Sequence, residues 1–333
     1  NNDKVHDFKK DPIQPRIVNK KDGDWLYATG TTLGADNGLG CAVAMAVMEA
    51  NDLVHGPVEA LFTVDEETGM TGARGLKAGI LKGDILINLD SETEGELYVG
   101  CAGGLDATAV FKYKEEPLPK GYKVYAINVK GLRGGHSGME IHEGRCNANK
   151  VMMRVLLPAL RDLKGKLVSI EGGNLRNAIP REAVAVVAIP KERADELQVI
   201  VDSVFAQVKN EYANIDPNVQ IFLEEAKAKN VMAGNVALKM AKSVYACPNG
   251  VDRMSLEMAD LVETSNNLAI VKSEDGKIFI KCLMRGSIDT AKEDLSEAIR
   301  ATFELAGAKV TLSGGYSGWQ PNMKSPILKT MKE

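Results

Sequence analysis

The sequence has 333 residues, a formal net charge of −4 and 44% hydrophobic residues. A chain of this size buries a substantial core and usually divides into two domains. Charges of both signs are interspersed, which argues against a nucleic-acid groove, and no run of about 18 apolar residues predicts a membrane span. The five cysteines are widely spaced without a Cys-x-x-Cys pair, which favours the cytoplasm and argues against a thiolate metal site.

The first third of the chain alternates helix and strand signals. After a Gly-rich turn, residues 39–48 carry apolar side chains at helical spacing. Two short apolar runs follow, Val58 to Val64 and Ile85 to Leu89, with a weak helix signal over 72–81 between them. This order predicts an α/β domain with a largely parallel sheet over residues 1–105.

From about residue 106 the predicted strands and helices become longer. They follow the order strand, helix, strand, strand, helix, strand, and a second set begins with a helix near 233–245. An Asp-Gly turn near residue 275 joins two strands of this second set. The order predicts two ferredoxin-like units over residues 106–315.

Three loops of the first domain carry acidic residues where α/β proteins form clefts. Asp65, Glu66 and Glu67 follow the first apolar run. Asp90 ends the second run, and Asp36 lies in the Gly-rich turn before the helix. Sites in open α/β sheets form beyond the carboxyl ends of strands. Clustered carboxylates repel one another unless one is protonated or a cation is bound, and a pair of divalent metal ions would satisfy them.

Each acid also has a structural interpretation. Asp36 could cap the helix that follows it, the acidic triplet could be a solvated turn, and Asp90 could begin a turn. A zinc site favours histidine, and none of the four histidines forms a ligand-like pair with an acid. The residues by themselves therefore leave open both a carboxylate metal site and these structural roles.

Four segments together resemble the aminoacyl-histidine dipeptidases, or cytosolic non-specific dipeptidases, of the aminoacylase–carnosinase group of co-catalytic zinc peptidases. The segments are TTLGADNGLGCA, FTVDEETGMTGARGL, LINLDSETEGELYVGCAGG and GLRGGHSGMEIHEGRCNANK, and their joint order is the specific signal. The resemblance runs over essentially the whole chain. It implies a zinc-peptidase-like catalytic α/β domain with an inserted α+β lid domain, and cytoplasmic hydrolysis of dipeptides, Xaa-His included. The lid also makes a homodimer plausible.

The resemblance assigns the acids to a site with two zinc ions, for which manganese or cobalt are alternatives. Asp36 resembles the carboxylate that bridges both metals. Glu67 and Asp90 each resemble a terminal ligand of one metal. Glu66 resembles the general base, which accepts a proton as a metal-bridged hydroxide attacks the scissile carbonyl. Asp65 has no assigned role and is expected to hydrogen-bond locally.

The lid domain contributes three further candidates. His136 in RGGHSG resembles the histidine that stabilises the tetrahedral oxyanion, and is otherwise a surface histidine in a loop. Arg285 resembles the arginine that clamps the substrate's terminal carboxylate, and is otherwise a charge at a strand end. Asn177 resembles a lid asparagine near the substrate, and is otherwise a turn residue. His142 and Arg145 follow His136 in the same motif without an assigned role.

The family's metal site also uses two histidines without a counterpart here. One belongs to a His-x-Asp strand expected immediately before residues 6–13, and the other is expected beyond residue 333. On this interpretation residues 316–333 begin a second part of the catalytic domain. We therefore expect these 333 residues by themselves to bind metal weakly and to have weak or no activity.

Two other functions stay open. The first is a related amidohydrolase that acts on N-acyl amino acids rather than on dipeptides with a free amino group. The second is a non-catalytic module that dimerises or binds peptides, built mainly from residues 106–315. Zinc binding and a substrate panel would separate these alternatives from a metallodipeptidase.

Overall fold

The computed structural model describes residues 6–66, 70–91 and 95–333. The chain divides into two compact units: unit 1 is Asn1–Tyr98 with Pro326–Glu333, and unit 2 is Val99–Ser325. The boundaries predicted near residues 105 and 315 refer to the domains of the family and stay predictions. Within the described ranges, no helix is both long and apolar enough to cross a membrane.

The helices and strands are numbered in chain order. They are β1 (Pro15–Lys20), β2 (Gly23–Ala28), α1 (Gly38–Glu49), α2 (Thr71–Gly75), β3 (Gly103–Lys112), β4 (Glu115–Pro117), β5 (Tyr122–Lys130), β6 (Gly135–His136), α3 (Ala148–Arg161), β7 (Lys166–Gly172), β8 (Ala178–Ile179), β9 (Ala183–Pro190), α4 (Ala194–Glu211), β10 (Gln220–Glu225), β11 (Asn230–Met232), α5 (Val236–Ala246), β12 (Gly250–Met254), β13 (Val262–Glu274), β14 (Lys277–Gly286), α6 (Asp289–Leu305), β15 (Lys309–Tyr316) and α7 (Pro326–Lys332). Short 3-10 turns cover Ile141–Glu143 and Lys191–Arg193.

Unit 1 holds the antiparallel pair β1–β2 and the helices α1, α2 and α7. The prediction of strands over 58–64 and 85–89 is wrong, because within the described part of unit 1 neither run pairs as a strand. Their apolar side chains stay in contact with water, as Val64 (70% exposed) and Leu86 (76% exposed) illustrate. A strand needs neighbours that satisfy its backbone groups and cover its side chains. β1 and β2 pair only with each other among the described residues, so they do not supply such neighbours.

Unit 2 is built on a nine-stranded antiparallel sheet in the order β10-β5-β9-β7-β13-β14-β3-β15, with β12 paired to β13. Two ferredoxin-like units share this sheet, as predicted. The first is β5-α3-β7-β9-α4-β10, and the second is β3-α5-β13-β14-α6-β15. In each unit the last strand lies beside the first, which is followed by the third and the second. β7 pairs with β13 and thereby joins the two ferredoxin-like units.

One feature of this topology is not evident from the sequence pattern. β3 is the first strand of the second ferredoxin-like unit, but it precedes the whole first ferredoxin-like unit in the chain. The first ferredoxin-like unit is therefore inserted after β3. The helices and strands of both ferredoxin-like units contribute to one core of unit 2, in which Leu156, Met240 and Ile299 are fully buried. Burying each such side chain contributes about 1.5–3 kcal/mol.

Candidate active site

Unit 2 brings His136, Asn177 and Arg285 together. His136 lies on β6, opposite Ala178 of the antiparallel partner strand β8. The backbone N–H of the next residue, Ser137, donates a hydrogen bond of 2.8 Å to the carbonyl of Asn177. Arg285, on β14, donates from Nε to the Ser137 hydroxyl at 3.4 Å. Three residues that are far apart in sequence thus converge around one short loop.

Gly138 lies close to the side chains of both His136 and Arg285. A Cβ at this position would lie 3.1 Å from His136 Cε1 and 3.3 Å from Arg285 Cζ. Both distances are tighter than an ordinary van der Waals contact, so a residue with a Cβ would require the neighbouring side chains to shift by a few tenths of an ångström. The glycine therefore allows an imidazole and a guanidinium to approach the same short segment.

The loop also determines which nitrogen of His136 can donate. The backbone N–H of Gly138 donates to His136 Nδ1 at 3.3 Å. A neutral imidazole that accepts at Nδ1 carries its proton on Nε2. The pKa of His136 is below its ordinary value, first because of partial burial and then because of the charge of Arg285, against an opposing effect of Glu140. At neutral pH the ring is therefore a neutral donor through Nε2, which suits a developing oxyanion.

Asn267 is a site-supporting residue that the sequence analysis missed. It is buried on β13, and its amide nitrogen donates to the carbonyls of Arg176 at 3.2 Å and Ala178 at 2.8 Å. These carbonyls lie on either side of Asn177, so Asn267 fixes the backbone of that residue. The run ETSNN at 263–267 carried the signal, because consecutive polar residues are unusual in a strand that is otherwise apolar.

In unit 1, the side chains of Asp36 and Asp90 lie near each other. The pKa of Asp90 is raised above its ordinary value. The largest cause is partial desolvation of Asp90, followed by the nearby charge of Asp36. The alternative role of Asp36 as a helix cap is wrong, because the side chain of Asn37 accepts from Gly40 N at 2.9 Å and caps α1 instead.

The acidic triplet is described only in part. Glu66 is exposed on unit 1. Glu67, the predicted terminal metal ligand, lies outside the described residues. Asp65 has a left-handed backbone with φ of 63°, and its carboxylate accepts from the Thr71 hydroxyl at 2.8 Å. The expected local hydrogen bonding of Asp65 is thereby confirmed.

The donor chemistry of the Asp36–Asp90 pair fits a divalent cation. Two carboxylates in contact repel each other unless a proton or a cation compensates them, and oxygen ligands suit divalent ions. Over residues 6–66, 70–91 and 95–333, no group of three or more histidine, cysteine, aspartate and glutamate side chains could hold a metal ion. That range does not include Glu67, so Asp36 and Asp90 form the described part of the proposed ligand set.

Comparisons with known proteins show which family the chain resembles. The family model of the peptidase dimerisation domain matches residues 127–216. The cytosol non-specific dipeptidase of Escherichia coli (strain K12) is 45% identical over 334 residues, covering 100% of this chain and 68% of the relative. The crystal structure of aminoacylhistidine dipeptidase from Vibrio alginolyticus superposes with a TM-score of 0.90 at 45% identity, covering 99% of this chain and 66% of that chain.

The chain spans about two thirds of the length of these two relatives. The likeness covers both units, and it confirms the mixed α/β class and the resemblance read from the four sequence segments. Identity at this level over the whole chain shows common descent. The chain therefore belongs to the cytosol non-specific dipeptidase family, a family of peptide-bond hydrolases.

Proposed function

We propose that the protein hydrolyses dipeptides, Xaa-His included, in a metal-dependent reaction in the cytoplasm. The observation that carries this proposal is the close approach of both His136 and Arg285 to Gly138. In a dipeptide the scissile carbonyl and the terminal carboxylate are one residue apart, about 3.5 Å along an extended chain. An uncharged donor beside a guanidinium suits these two groups. The name of the Escherichia coli relative supports both the reaction and the location.

Each residue of unit 2 has a separate task in this proposal. Arg285 binds the terminal carboxylate with its planar fork of donors. His136 donates from Nε2 to the carbonyl oxygen as negative charge develops there. Asn177, held by Asn267, provides a further polar contact to the substrate.

The acids of unit 1 provide the metal and proton chemistry. Asp36, Glu67 and Asp90 would hold the metal ions, with zinc as first choice and manganese or cobalt as alternatives. A bound divalent ion would lower the pKa of water to about 7 and polarise the scissile carbonyl. Glu66 accepts the proton of the attacking water and delivers a proton to the leaving amine. The carboxylate of Glu66 must therefore be ionised before the attack and protonated after it.

The chain covers 68% of the length of the Escherichia coli relative, so the proposed activity is tested both in this chain and in the context of the full-length relative. The decisive experiment therefore uses two proteins. One is the chain itself, and the other is the Escherichia coli relative in which this chain replaces the matching residues. Both are assayed with zinc against dipeptides and against N-acyl amino acids.

Dipeptide hydrolysis by the chimera, lost on Glu66→Gln, is the expected result. Strong hydrolysis by the isolated chain would contradict the expected weak activity while supporting the dipeptidase. Hydrolysis of N-acyl amino acids alone would overturn the dipeptidase in favour of the amidohydrolase. Activity in neither assay, together with stable self-association, would favour the non-catalytic module.

We also propose that the protein forms a homodimer through unit 2. The match of residues 127–216 to a peptidase dimerisation domain supports this assembly. Sedimentation equilibrium should then give twice the mass of one chain at micromolar concentration. A mass of one chain throughout the measured range would overturn it.

A further inference from the structure

Residues 134–140, here called the His136 loop, are tied together by one guanidinium. Arg145 lies just beyond the loop in sequence, and its side chain is only 11% exposed. Its Nη1 donates to the carbonyl of Gly134 at 2.6 Å, and its Nη2 pairs with Glu140 Oε1 at 3.6 Å. Its Nε donates to Glu143 Oε2 at 2.8 Å. One planar group therefore joins both ends of the loop to the 3-10 turn that follows it.

Glu140 connects this guanidinium to His136. Its second oxygen, Oε2, accepts a short hydrogen bond from the backbone N–H of His136. In the same turn the backbone N–H of Glu140 donates to the carbonyl of His136 at 2.9 Å. Both backbone polar groups of His136 are thus held by Glu140, and Glu140 is held by Arg145.

The two glycines before His136 make this arrangement possible. Gly134 and Gly135 have φ of 66° and 142°, which favour glycine. A Cβ on Gly135 would overlap the Arg145 guanidinium and lie 2.8 Å from Glu140 Oε2. Only a residue without a side chain lets both charged groups reach the backbone at this point.

We propose that Glu140 and Arg145 act as positioning residues that hold the His136 loop so that the imidazole accepts from Gly138 N–H at Nδ1 and donates from Nε2. This inference rests on the proposed function, because it gives His136 the task of donating to the substrate carbonyl. Neither charged group needs to touch the substrate in this role.

The test reads the imidazole directly and does not require activity. The chain is labelled with ¹⁵N-histidine, and the nitrogen resonances of His136 are assigned by their loss in His136→Gln. At about pH 8, where an ordinary histidine is neutral, the wild type should show a single tautomer with the proton on Nε2. Arg145→Gln should convert this signal to a mixture of tautomers. Arg145→Lys keeps the charge but loses the fork, and should give an intermediate mixture.

A matched control and a second variant keep the result decisive. Arg161→Gln removes an exposed guanidinium that pairs with Asp162 at the end of α3, and should leave the His136 signals unchanged. Thermal unfolding shows whether each variant is folded. If Arg145→Gln does not fold, Glu140→Gln replaces it, because an amide oxygen can still accept from His136 N–H without pairing with Arg145.

In the active chimera, Arg145→Gln should lower kcat by up to about 10²-fold, with KM changed less than the rate. An unchanged His136 tautomer in a folded Arg145 or Glu140 variant would overturn the inference, whatever the activity. Absence of dipeptide hydrolysis with a tautomer that still responds would instead overturn the proposed function and leave the positioning of His136 standing.

Discussion

The Ser137 hydroxyl accepts a hydrogen bond from Arg285 Nε at 3.4 Å, and this contact ties β14 to the His136 loop. Ser137 is buried, so water cannot easily replace the hydroxyl. We predict that Ser137→Ala leaves the guanidinium less well held and raises KM for dipeptides about fivefold, the effect of losing about 1 kcal/mol. Steady-state kinetics of the chimera check this. A fall in kcat at constant KM would instead indicate that Ser137 acts on His136.

The fork of Arg285 should matter only for substrates with a free terminal carboxylate. We predict that Arg285→Lys weakens the binding of dipeptides roughly ten- to a hundredfold, because a charge-assisted hydrogen bond is lost. Dipeptide amides serve as the control, and their binding should change little. Calorimetry with both ligands tests this, and an equal loss for amide and acid would refute the carboxylate clamp.

His136 should make the folded state sensitive to mild acid. Its pKa is lowered in the folded protein, mainly by burial, so between that value and its ordinary value of about 6.5 the unfolded chain binds more protons. The free energy of unfolding should therefore fall as the pH drops from about 6.5 through the lower folded pKa. His136→Gln should remove this part of the pH dependence. Urea unfolding of both proteins between pH 7 and pH 5 measures this pH dependence. If the free energy of unfolding changes equally with pH in both proteins, His136 is not the group responsible.

Asp289 should contribute stability that is lost only in strong acid. Its carboxylate accepts from Lys292 Nζ at 2.8 Å and from Gly318 N at 3.0 Å, and its pKa is lowered to about 2, chiefly by the hydrogen bond from Lys292. Because the pKa is depressed, the contribution is complete above the unfolded value of about 3.9 and disappears as the pH falls towards 2. The stability difference between wild type and Asp289→Asn should shrink over that range. A difference in the free energy of unfolding that stays constant over this pH range would show that ionised Asp289 does not stabilise the fold.

The proximity of Asp36 to Asp90 predicts how a single substitution changes metal binding. Asp36→Asn should weaken binding of zinc or manganese to the chain, and should lower the pKa of Asp90 towards its ordinary value because the charge of Asp36 is removed. Desolvation of Asp90 remains, so the return should be partial. Asp52→Asn, at an exposed aspartate of the same unit, is the control. Equal metal affinity of both variants would remove Asp36 from the ligand set.

The candidate site shows what could be predicted from the sequence and what could not. The convergence of His136, Asn177 and Arg285 was expected only from the family resemblance, because spacing alone cannot bring β6, β8 and β14 together. The strands predicted over 58–64 and 85–89 failed because apolar runs do not specify where their hydrogen-bonding partners come from. The supporting role of Asn267 was missed because the polar run that contains it does not indicate which backbone carbonyls its amide contacts.

Local rules worked where the partners are close in the chain. The periodicity of the helices and the Asp-Gly turn between β13 and β14 predicted both ferredoxin-like units. The same rules predicted a capping residue before α1, with Asp36 as the candidate. The residue that caps α1 is Asn37. Adjacent residues of similar capping ability cannot be separated by propensity, since backbone geometry decides which side chain faces the first turn.

The insertion of one ferredoxin-like unit after β3 has a consequence for the order of folding during synthesis. The inserted ferredoxin-like unit, β5 to β10, has all four of its strands once residue 225 has left the ribosome. Its strand pairings are comparatively local. β3 pairs with β14 from Gly103↔Gly286 to Lys112↔Lys277, so it must wait for a partner that is translated far later. Closing so long a loop is slow and leaves an unpaired strand in the meantime. The inserted ferredoxin-like unit can therefore fold first, and β3, β13, β14 and β15 can then pair beside it.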